Sequence, residues 1–343
     1  MSSRKKPAAG GLHGQTIAGV AAAAGVSAMT VSRFFSDPEK LSRTMYERVK
    51  HTVEALNFVP NATARALTRG ATETFALLMA DMSHPFFMGV ANGVEEAAQR
   101  AGYTLLLGNS REDLHRERKY LESLVSRRVD GIIVAPIHDT RHNLDVPKSR
   151  GVPTLLIDRR LAGYAFDVVR SDTFTGGYIL TKHLVEQGYR DIIFIGGYSG
   201  TSSLVDRLGG YRQAVEESQL KERSFLGRYD QDSGFEIVDR LVKETAKFPD
   251  ALVAANNMVA VGALLALRQH NLHVPQDVAL ATFDDFEIAS LLDPFLTVVK
   301  QPAFEIGMEA TSMLLERIDN PNLPTQERVL PVELIVRRST QRV

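Results

Sequence analysis

Length, composition and charge already narrow what this chain can be. Its 343 residues are 44% hydrophobic and 24% charged, which is typical of a folded protein and provides enough chain for two or three domains. Because the chain has no cysteine, disulfides, thiolate metal sites and a cysteine nucleophile are excluded, and a reducing compartment is favoured. No apolar run completes a signal peptide or a membrane span, so we expect a cytoplasmic protein.

The formal charge is unevenly distributed along the chain. Residues 1–70 carry ten Lys or Arg against four acidic residues, a balance of +6, although the whole chain has a net charge of −1. The remaining residues therefore sum to −7. This asymmetry predicts an N-terminal segment that binds a polyanion, joined to a neutral or acidic remainder.

Three short helical patterns follow an N-terminal tail, residues 1–15, that we expect to be flexible. They cover residues 16–24, 27–35 and 42–57, and Pro60 ends the series. We assign residues 16–60 to a helix-turn-helix domain, and residues 61–72 to a hinge helix and linker that lead into a different pattern.

The first two helices have the residues that a helix-turn-helix needs. Ala21 allows close approach of the helices, Gly25 suits a corner with positive φ, and Ser27 is a good N-cap. We expect inward packing of Val20, Ala24, Val26, Val31 and Phe34. The outward side chains are then Ala28, Met29, Thr30, Ser32 and Arg33. A plain helical hairpin is the alternative, but this exposed face fits a DNA groove better than it fits a core.

From Thr74 the pattern changes to apolar strands that alternate with amphipathic helices. The predicted strands are 74–80, 103–109, 131–136, 153–158, 166–171, 191–197, 224–229, 251–256 and 278–285. The main predicted helices are 87–101, 116–127, 176–187 and 258–270. Near-continuous apolar strands indicate parallel sheets covered on both faces. Because nine strands exceed one small sheet, we predict an α/β fold with two doubly wound lobes.

Ligands of such folds bind beyond the carboxyl ends of the strands. Polar residues follow most of the predicted strands, from 81–84 to 284–285, as a cleft between two lobes requires. The sequence evidence for a catalytic site is weak. The chain has no G-x-S-x-G elbow, and "GGYSG" at 196–200 lacks the Lys and Ser/Thr of a phosphate-binding loop. We therefore expect no enzyme, no catalytic residue, no cofactor and no metal site.

Ordered motifs along residues 16–340 resemble the lactose/galactose repressor (LacI/GalR) family of transcriptional regulators. The N-terminal segment has the G-V-S-x-x-T-V-S-R core and then "NFVPNATARAL". The later segments include "DMSHPFF", "VDGIIVAP", "VPQDVALATFDD" and "ELIVRRST". The run "AMTVSRFFSDPEKLS" is similar to the gluconate-repressor branch of that family.

The resemblance implies a set of DNA contacts. Ala28, Met29 and Arg33 would reach base edges in the major groove, and Thr30 and Ser32 would contact phosphate. Leu67 of the hinge helix would be an apolar wedge in the minor groove, with Arg65 beside it. Thr16, Ser27 and Asn61 complete the predicted DNA-binding set. A buried linker leucine is the alternative for Leu67.

The resemblance also implies a sensor of the periplasmic-binding-protein type at residues 73–340, with a small molecule between the lobes. The predicted effector contacts are Asp81, Phe86, Phe87, Asp158, Arg207, Asn256, Asn257 and Asp284. Carboxylates, amides and a guanidinium suit adjacent hydroxyls, so we expect a sugar or sugar derivative. Asn257 in place of the family's usual Asp, with Arg159, Arg160 and Arg170 nearby, favours a sugar acid such as gluconate.

The same similarity divides the sensor into lobes and indicates its assembly. Lobe one would comprise residues 73–169 and 299–325, and lobe two residues 170–298 and 326–340. We expect a homodimer that binds a pseudo-palindromic, double-stranded operator DNA through two heads, as a repressor of carbohydrate or sugar-acid genes. The alternatives are a cytoplasmic solute-binding module and a sugar-modifying enzyme on the same fold. No membrane partner is expected.

Overall fold

The computed structural model of the protein describes residues 16–59, 71–137, 140–286 and 296–342. The chain forms two compact units, of which the first ends at Thr72 and the second begins at Glu73.

The described part of the first unit contains three α-helices: α1 (Ile17–Ala24), α2 (Ala28–Ser36) and α3 (Arg43–Ala55). A 3-10 turn at Pro38–Lys40 separates the second helix from the third. The helices pack around a small apolar core of Val20, Ala21, Val31, Val49 and Phe58. So small a core depends on good helix ends, and a hydroxyl side chain caps each helix at Thr16, Ser27 and Ser42.

The second unit contains two six-stranded sheets with helices on both faces. The strands are β1 (Thr74–Met79), β2 (Thr104–Asn109), β3 (Gly131–Val134), β4 (Thr154–Ile157), β5 (Asp167–Ser171), β6 (Ile192–Ile195), β7 (Ser224–Phe225), β8 (Ala251–Ala254), β9 (Ala279–Phe283), β10 (Thr297–Lys300), β11 (Glu327–Leu330) and β12 (Glu333–Ile335). The first sheet has the order β11-β5-β4-β3-β1-β2, and the second has the order β12-β10-β9-β8-β6-β7.

The helices of the second unit connect successive strands or cross between the lobes. They are α4 (Pro85–Arg100), α5 (Leu114–Ser126), α6 (Arg141–Ser149), α7 (Thr173–Glu186), α8 (Ser202–Glu217), α9 (Gln231–Glu244), α10 (Asn257–Gln269) and α11 (Ala303–Asp319). A final 3-10 turn covers Arg338–Thr340. Because helices cover both faces, the central strands β3, β4, β6 and β8 are buried at every residue.

Two of these helices meet at their backbones. A Cβ atom added to Gly93 of α4 would lie 2.0 Å from the carbonyl oxygen of Phe304 in α11, and one added to Gly307 would lie 2.2 Å from that of Val90. Only glycine permits this approach. Helix α11 follows β10 of the second sheet yet packs on α4 of the first lobe, so the chain crosses between the lobes before it.

All nine predicted strands are present, and three further strands were not predicted: β10, β11 and β12. The four main helices also begin earlier than predicted, by one to three residues. Their starts follow from local chemistry, because Pro85 occupies the first turn of α4, and Asp113, Asp172 and Asn256 cap α5, α7 and α10.

The predicted lobe boundaries need three corrections, of which the smallest is that residues 299–300, assigned to lobe one, belong to β10 of the second sheet. Residues 326–340 were assigned to lobe two, but β11 within that range pairs in parallel with β5 of the first sheet, Arg328 opposite Val169. Only β12 joins the second sheet, antiparallel to β10. The pairing of β11 with β5 also keeps residues 170–171 in the first sheet. A short edge strand pairs with whichever sheet edge its connection can reach, and sequence similarity did not indicate which edge.

Candidate functional site

The first unit has the geometry of a helix-turn-helix. Helices α1 and α2 meet at 108°, within the range typical of this motif. Gly25 forms the corner with φ of 64°, and the Ser27 hydroxyl accepts a hydrogen bond from the Thr30 N–H at 3.1 Å. The left-handed corner requires glycine, and the cap fixes where the second helix begins.

The exposed face of α2 carries most of the predicted DNA contacts. Ala28, Met29, Ser32 and Arg33 are exposed, Met29 by 63%. Thr30 is half-buried, and its hydroxyl shares a 2.9 Å hydrogen bond with that of Ser27. An arginine with small neighbours can reach the edge of a base without a steric barrier. Thr16 caps α1, whereas the predicted residues Asn61, Arg65 and Leu67 lie outside the described residues.

The second unit contains a cavity of about 600 Å³ at the carboxyl ends of its strands. Residues from both lobes line it. Seven of the eight predicted effector contacts are among them: Asp81, Phe86, Phe87, Asp158, Arg207, Asn256 and Asp284. They come from the segments that follow β1, β4, β8 and β9 and from α8, so the topology rather than sequence proximity brings them together.

Asn257 is not among the lining residues of this cavity, and its role as an effector contact stays a prediction. The residue is 1% exposed, and among the described residues neither its side-chain oxygen nor its nitrogen has a hydrogen-bond partner. Asn256 is the N-cap of α10 and lines the cavity. The next residue along a helix is rotated by about 100°, which directs Asn257 elsewhere.

Arg207 and Asp284 form the buried polar floor of the cavity. Arg207 is 4% exposed and Asp284 3% exposed, with 3.9 Å between guanidinium nitrogen Nη1 and carboxylate oxygen Oδ2. The Arg207 guanidinium also donates to the Ala255 carbonyl. Gln301 donates to the other Asp284 oxygen. These contacts hold two opposite charges in fixed positions at the base of the cavity.

Three cavity carboxylates, Glu112, Asp158 and Asp284, sit on strained backbone, with φ of 54° at Glu112. Asp158 and Asp284, directly after β4 and β9, have φ of 64° and 69°. Residues other than glycine rarely adopt this region, and such strain concentrates at binding sites. Burial raises the pKa of Asp158 above its usual value, although Arg159 and Arg207 act in the opposite direction. The carboxylates, which accept hydrogen bonds in the cavity, are therefore held by backbone conformations that cost folding free energy.

Several lining residues were not predicted as effector contacts. Tyr198 and Tyr229 meet edge-to-face with 5.7 Å between ring centroids. Arg159 forms a bidentate ion pair with Glu112, at 2.6 and 3.0 Å. Tyr198 lies three residues after β6 and Tyr229 four residues after β7, so the strand-end rule could have identified them. Glu112 follows the polar end of β2, and the sequence gives no sign of its pairing with Arg159.

The arginines cited for an anionic ligand are already paired. Arg159 is held by Glu112, and Arg160 by Asp206, at 2.8 Å for one of its two hydrogen bonds. Arg170 contacts Glu327 and Asp206. Neither Arg160 nor Arg170 lines the cavity. Arg159, Arg160 and Arg170 therefore do not favour a sugar acid.

The described residues contain no cluster of three or more His, Cys, Asp or Glu that could hold a metal ion. Across the same residues, no single helix is long and apolar enough to cross a membrane. Helices α1 and α2 reach that length and composition only when taken together across their 108° bend.

A helix-turn-helix unit together with a two-lobed ligand-binding unit defines a transcriptional regulator that responds to a small molecule. Residues 16–61 match the bacterial regulatory proteins of the lacI family, and residues 181–340 match the periplasmic binding protein-like domain. The chain is 31% identical over 334 residues to the HTH-type transcriptional repressor PurR of Haemophilus influenzae (strain PittEE), covering 96% of this chain and 99% of that protein. The chain belongs to the lacI family of bacterial regulatory proteins.

Two further similarities agree with this membership. The ribose operon repressor of Halalkalibacterium halodurans is 32% identical over 326 residues, which cover 95% of this chain and 97% of that repressor. A solved complex of the transcriptional regulator CelR with cellobiose has a TM-score of 0.73 at 29% identity. It covers 94% of this chain and 99% of that one. The likeness extends over both units in each case.

Proposed function

We propose that the protein is a dimeric repressor that binds a pseudo-palindromic operator through α2 and an uncharged sugar in the cavity of the second unit. The charge of the cavity is the observation that supports an uncharged ligand. Its lining has five carboxylates, Asp81, Glu112, Asp158, Asp230 and Asp284, against three guanidiniums, Arg111, Arg159 and Arg207. An excess of two formal negative charges disfavours an anion.

Hydrogen-bonding capacity supports a ligand with several hydroxyl groups. Four buried donors around the cavity have no hydrogen-bond partner in the described part of the chain: His84 Nδ1, Arg159 Nε, Arg207 Nε and Tyr229 Oη. Of these, Arg159 Nε has an ion-pair contact of 3.3 Å with Asp158 Oδ2. Buried donors of native proteins are almost always paired. The carboxylates of the lining supply acceptors. Sugar hydroxyls both donate and accept, so one sugar ring matches both sets.

The names of relatives point in the same direction. One relative is a ribose operon repressor, and the CelR structure contains cellobiose. We take an uncharged sugar as the proposal and D-ribose as its first probe. A sugar acid of the gluconate class, suggested by the run at residues 28–42, is retained as the competing outcome of the test.

We propose that residues 61–72 act as the hinge helix and linker between residues 16–60 and the sensor at 73–340. Asn61, Arg65 and Leu67 would contact the operator there. The support is the similarity of residues 16–61 to the lacI family and the composition of the "NATARAL" segment.

A second copy of the chain is the proposed partner of strand β2. This strand is at one edge of the first sheet and, within the described residues, pairs with β1 alone. Leu106 and Leu107 on β2 are exposed by 36% and 46%, and Leu114 and Tyr120 of the neighbouring segment by 45% and 39%. An unpaired apolar edge favours association. A two-fold contact here would give the protein the symmetry of its operator.

A thermal-shift screen tests the ligand class. A ligand that binds only the folded state stabilises it by about 2.7 kcal/mol at a concentration 100 times its Kd. We expect D-ribose or another uncharged sugar to raise the Tm of the second unit, and D-gluconate to leave it unchanged. Stabilisation by gluconate alone would contradict the proposal.

A further inference from the structure

His84 and Asn256 form a direct hydrogen bond between the two lobes of the second unit. His84 is the N-cap of α4, which follows β1 of the first sheet, and Asn256 follows β8 of the second sheet. The Asn256 amide nitrogen lies 2.9 Å from His84 Nε2. The His84 side chain is only 12% exposed, so water does not readily replace this contact.

The other bonds of Asn256 determine the protonation of the His84 ring. The Asn256 oxygen accepts from the Val259 N–H at 2.9 Å, which assigns its amide nitrogen to the remaining partners. That nitrogen donates one hydrogen to the Tyr229 carbonyl at 3.0 Å and the other to His84 Nε2. Nε2 must therefore accept, so the imidazole is neutral and carries its proton on Nδ1.

Charged groups from both lobes surround this ring. Asp284 of the second lobe places Oδ2 3.6 Å from Nε2. Arg207 acts from the same lobe, whereas Asp158 and Asp81 act from the first. Burial and Arg207 lower the pKa of His84, the carboxylates of Asp284, Asp158 and Asp81 raise it, and the net effect is a pKa below the usual value. A neutral ring at neutral pH agrees with the hydrogen-bond pattern.

A different polar contact between the lobes lacks this sensitivity to protons. Arg160 of the first lobe binds Asp206 of α8 with a 2.8 Å hydrogen bond and a second, shorter one. This pair contains no imidazole, the side chain that most often changes charge near neutral pH. A proton on His84 Nε2, by contrast, would face the N–H group of Asn256 and remove the acceptor.

We propose that the His84–Asn256 hydrogen bond is a proton-sensitive latch that favours the closed arrangement of the two lobes. Because protonation of Nε2 removes the acceptor, acidification below the lowered pKa of His84 opens the latch. The latch belongs to the second unit alone and holds whatever ligand the cavity binds, so it goes beyond the proposed function. His84 acts as a positioning residue, since it fixes the Asn256 amide and the separation of the lobes.

The experiment measures the distance between the lobes directly. Because the chain has no cysteine, spin labels can be attached at two introduced cysteines, Gln99→Cys on α4 and Glu216→Cys on α8. Both positions are exposed. Electron–electron double resonance at about pH 7.5 and about pH 5.5 then gives the distance distribution without ligand or DNA. Failure of the proposed function would not affect this readout.

Three variants separate the latch from general acid effects. His84→Gln offers a carbonyl acceptor that does not titrate, His84→Ala offers none, and the control His142→Gln removes an imidazole that is 93% exposed. We expect acid to increase the long-distance population about fivefold in the parent and the control, as loss of one hydrogen bond predicts. His84→Gln should stay closed at both pH values, and His84→Ala should be open at both.

Three results would overturn the latch. The first is a parent distribution that does not change with pH, as would occur if protonated His84 held the lobes together through Asp284. The second is a His84→Gln variant that opens in acid as the parent does. The third is a His84→Ala variant with the parent's distribution at neutral pH.

Discussion

The guanidinium carbon of Arg207 lies 4.5 Å from the centre of the Phe283 ring. Arg207 is on α8, and Phe283 ends β9 directly before Asp284. The stack therefore links a helix to the strand end that carries a cavity carboxylate. A planar cation on an aromatic face, with its remaining N–H groups toward the cavity, is a rigid donor for ligand oxygens.

Arg207→Lys should weaken sugar binding at least tenfold, because an ammonium group cannot stack or donate in the same plane. Calorimetric titration with the sugar that gives the largest thermal shift provides the measurement. DNA binding without sugar should be unchanged in this variant. Equal affinity of the variant and the parent would show that Arg207 does not contact the ligand.

Arg33→Ala should abolish the preference for operator over scrambled DNA. The arginine is exposed on α2, and loss of a bidentate base contact costs about 1–3 kcal/mol. Gel shifts with both DNAs give the ratio of affinities. Lys50→Ala on the exposed face of α3 is the matched control, since it removes the same charge but should weaken both affinities equally. A preserved preference in Arg33→Ala would exclude Arg33 as a base contact.

Two glycines of the first unit should respond in opposite directions to the same change. Gly25 has φ of 64°, so Gly25→Ala should lower the free energy of unfolding by about 1 kcal/mol. Gly19 is inside α1, and an added Cβ would meet Thr16 Oγ1 at an ordinary 3.6 Å. Gly19→Ala should therefore raise stability by about 0.5–1 kcal/mol. Denaturant unfolding of the full chain, followed by a probe in the first unit, measures both; destabilisation of equal size would contradict the assignment of the corner.

Among the acidic residues of the first lobe, Glu117 should cause the largest loss of unfolding free energy when it is replaced by alanine. Its buried carboxylate accepts from the Thr140 hydroxyl, the Asn143 amide at 3.0 Å and the Ile137 N–H at 3.2 Å. Glu117→Ala leaves three donors without an acceptor and should cost about 3 kcal/mol of unfolding free energy.

Ionisation of Glu117 makes the folded state less stable than it is with the carboxyl group protonated. Burial raises the pKa of Glu117 despite these hydrogen bonds, so the folded state holds this proton to higher pH than the unfolded state. The contribution of Glu117 to stability therefore falls as the pH rises from about 4.5 through the raised pKa. The control Glu122→Ala, on the same helix and 50% exposed, should change stability by less than about 0.5 kcal/mol. Similar losses in both variants would mean that the Glu117 bonds do not stabilise the fold.

Leu107→Glu should convert the proposed dimer to monomers and weaken operator binding, because a charge would lie in the centre of the apolar edge. Analytical ultracentrifugation measures the mass. Leu323→Glu, at a position that is 37% exposed in the turn after α11, is the control and should leave the mass unchanged. A dimer that persists in Leu107→Glu would place the interface elsewhere.

The buried parallel strands were predictable because both faces are covered and their sequences are apolar throughout. The three strands that were missed lack that signal. Residues of β11 alternate between exposed and half-buried, and β12 has only three residues. Strand β10 is buried at its first three positions, but it follows a long segment without a clear pattern.

The sequence predicts those residues of the candidate site that follow the ends of apolar strands. Asp158, Asn256 and Asp284 each follow an apolar strand, and parallel topology collects such residues at one edge. Asn257 lies outside the cavity lining although Asn256 is part of it, because sequence neighbours on a helix point in different directions. The pairing of Arg159 with Glu112 could not be predicted, since it joins segments 47 residues apart. That pairing changes the charge available to a ligand, and with it the expected ligand class.

The most direct test joins both units in one measurement. The full-length protein first selects its preferred DNA from a random pool, and this DNA is given a fluorescent label. The fluorescence anisotropy of the labelled DNA bound to the protein is then followed while D-ribose and then other uncharged sugars are added. The account predicts salt-sensitive, sequence-preferring binding whose affinity changes at least fivefold with one of these sugars and not with gluconate. Binding without sequence preference, or operator affinity that no uncharged sugar alters, would contradict it.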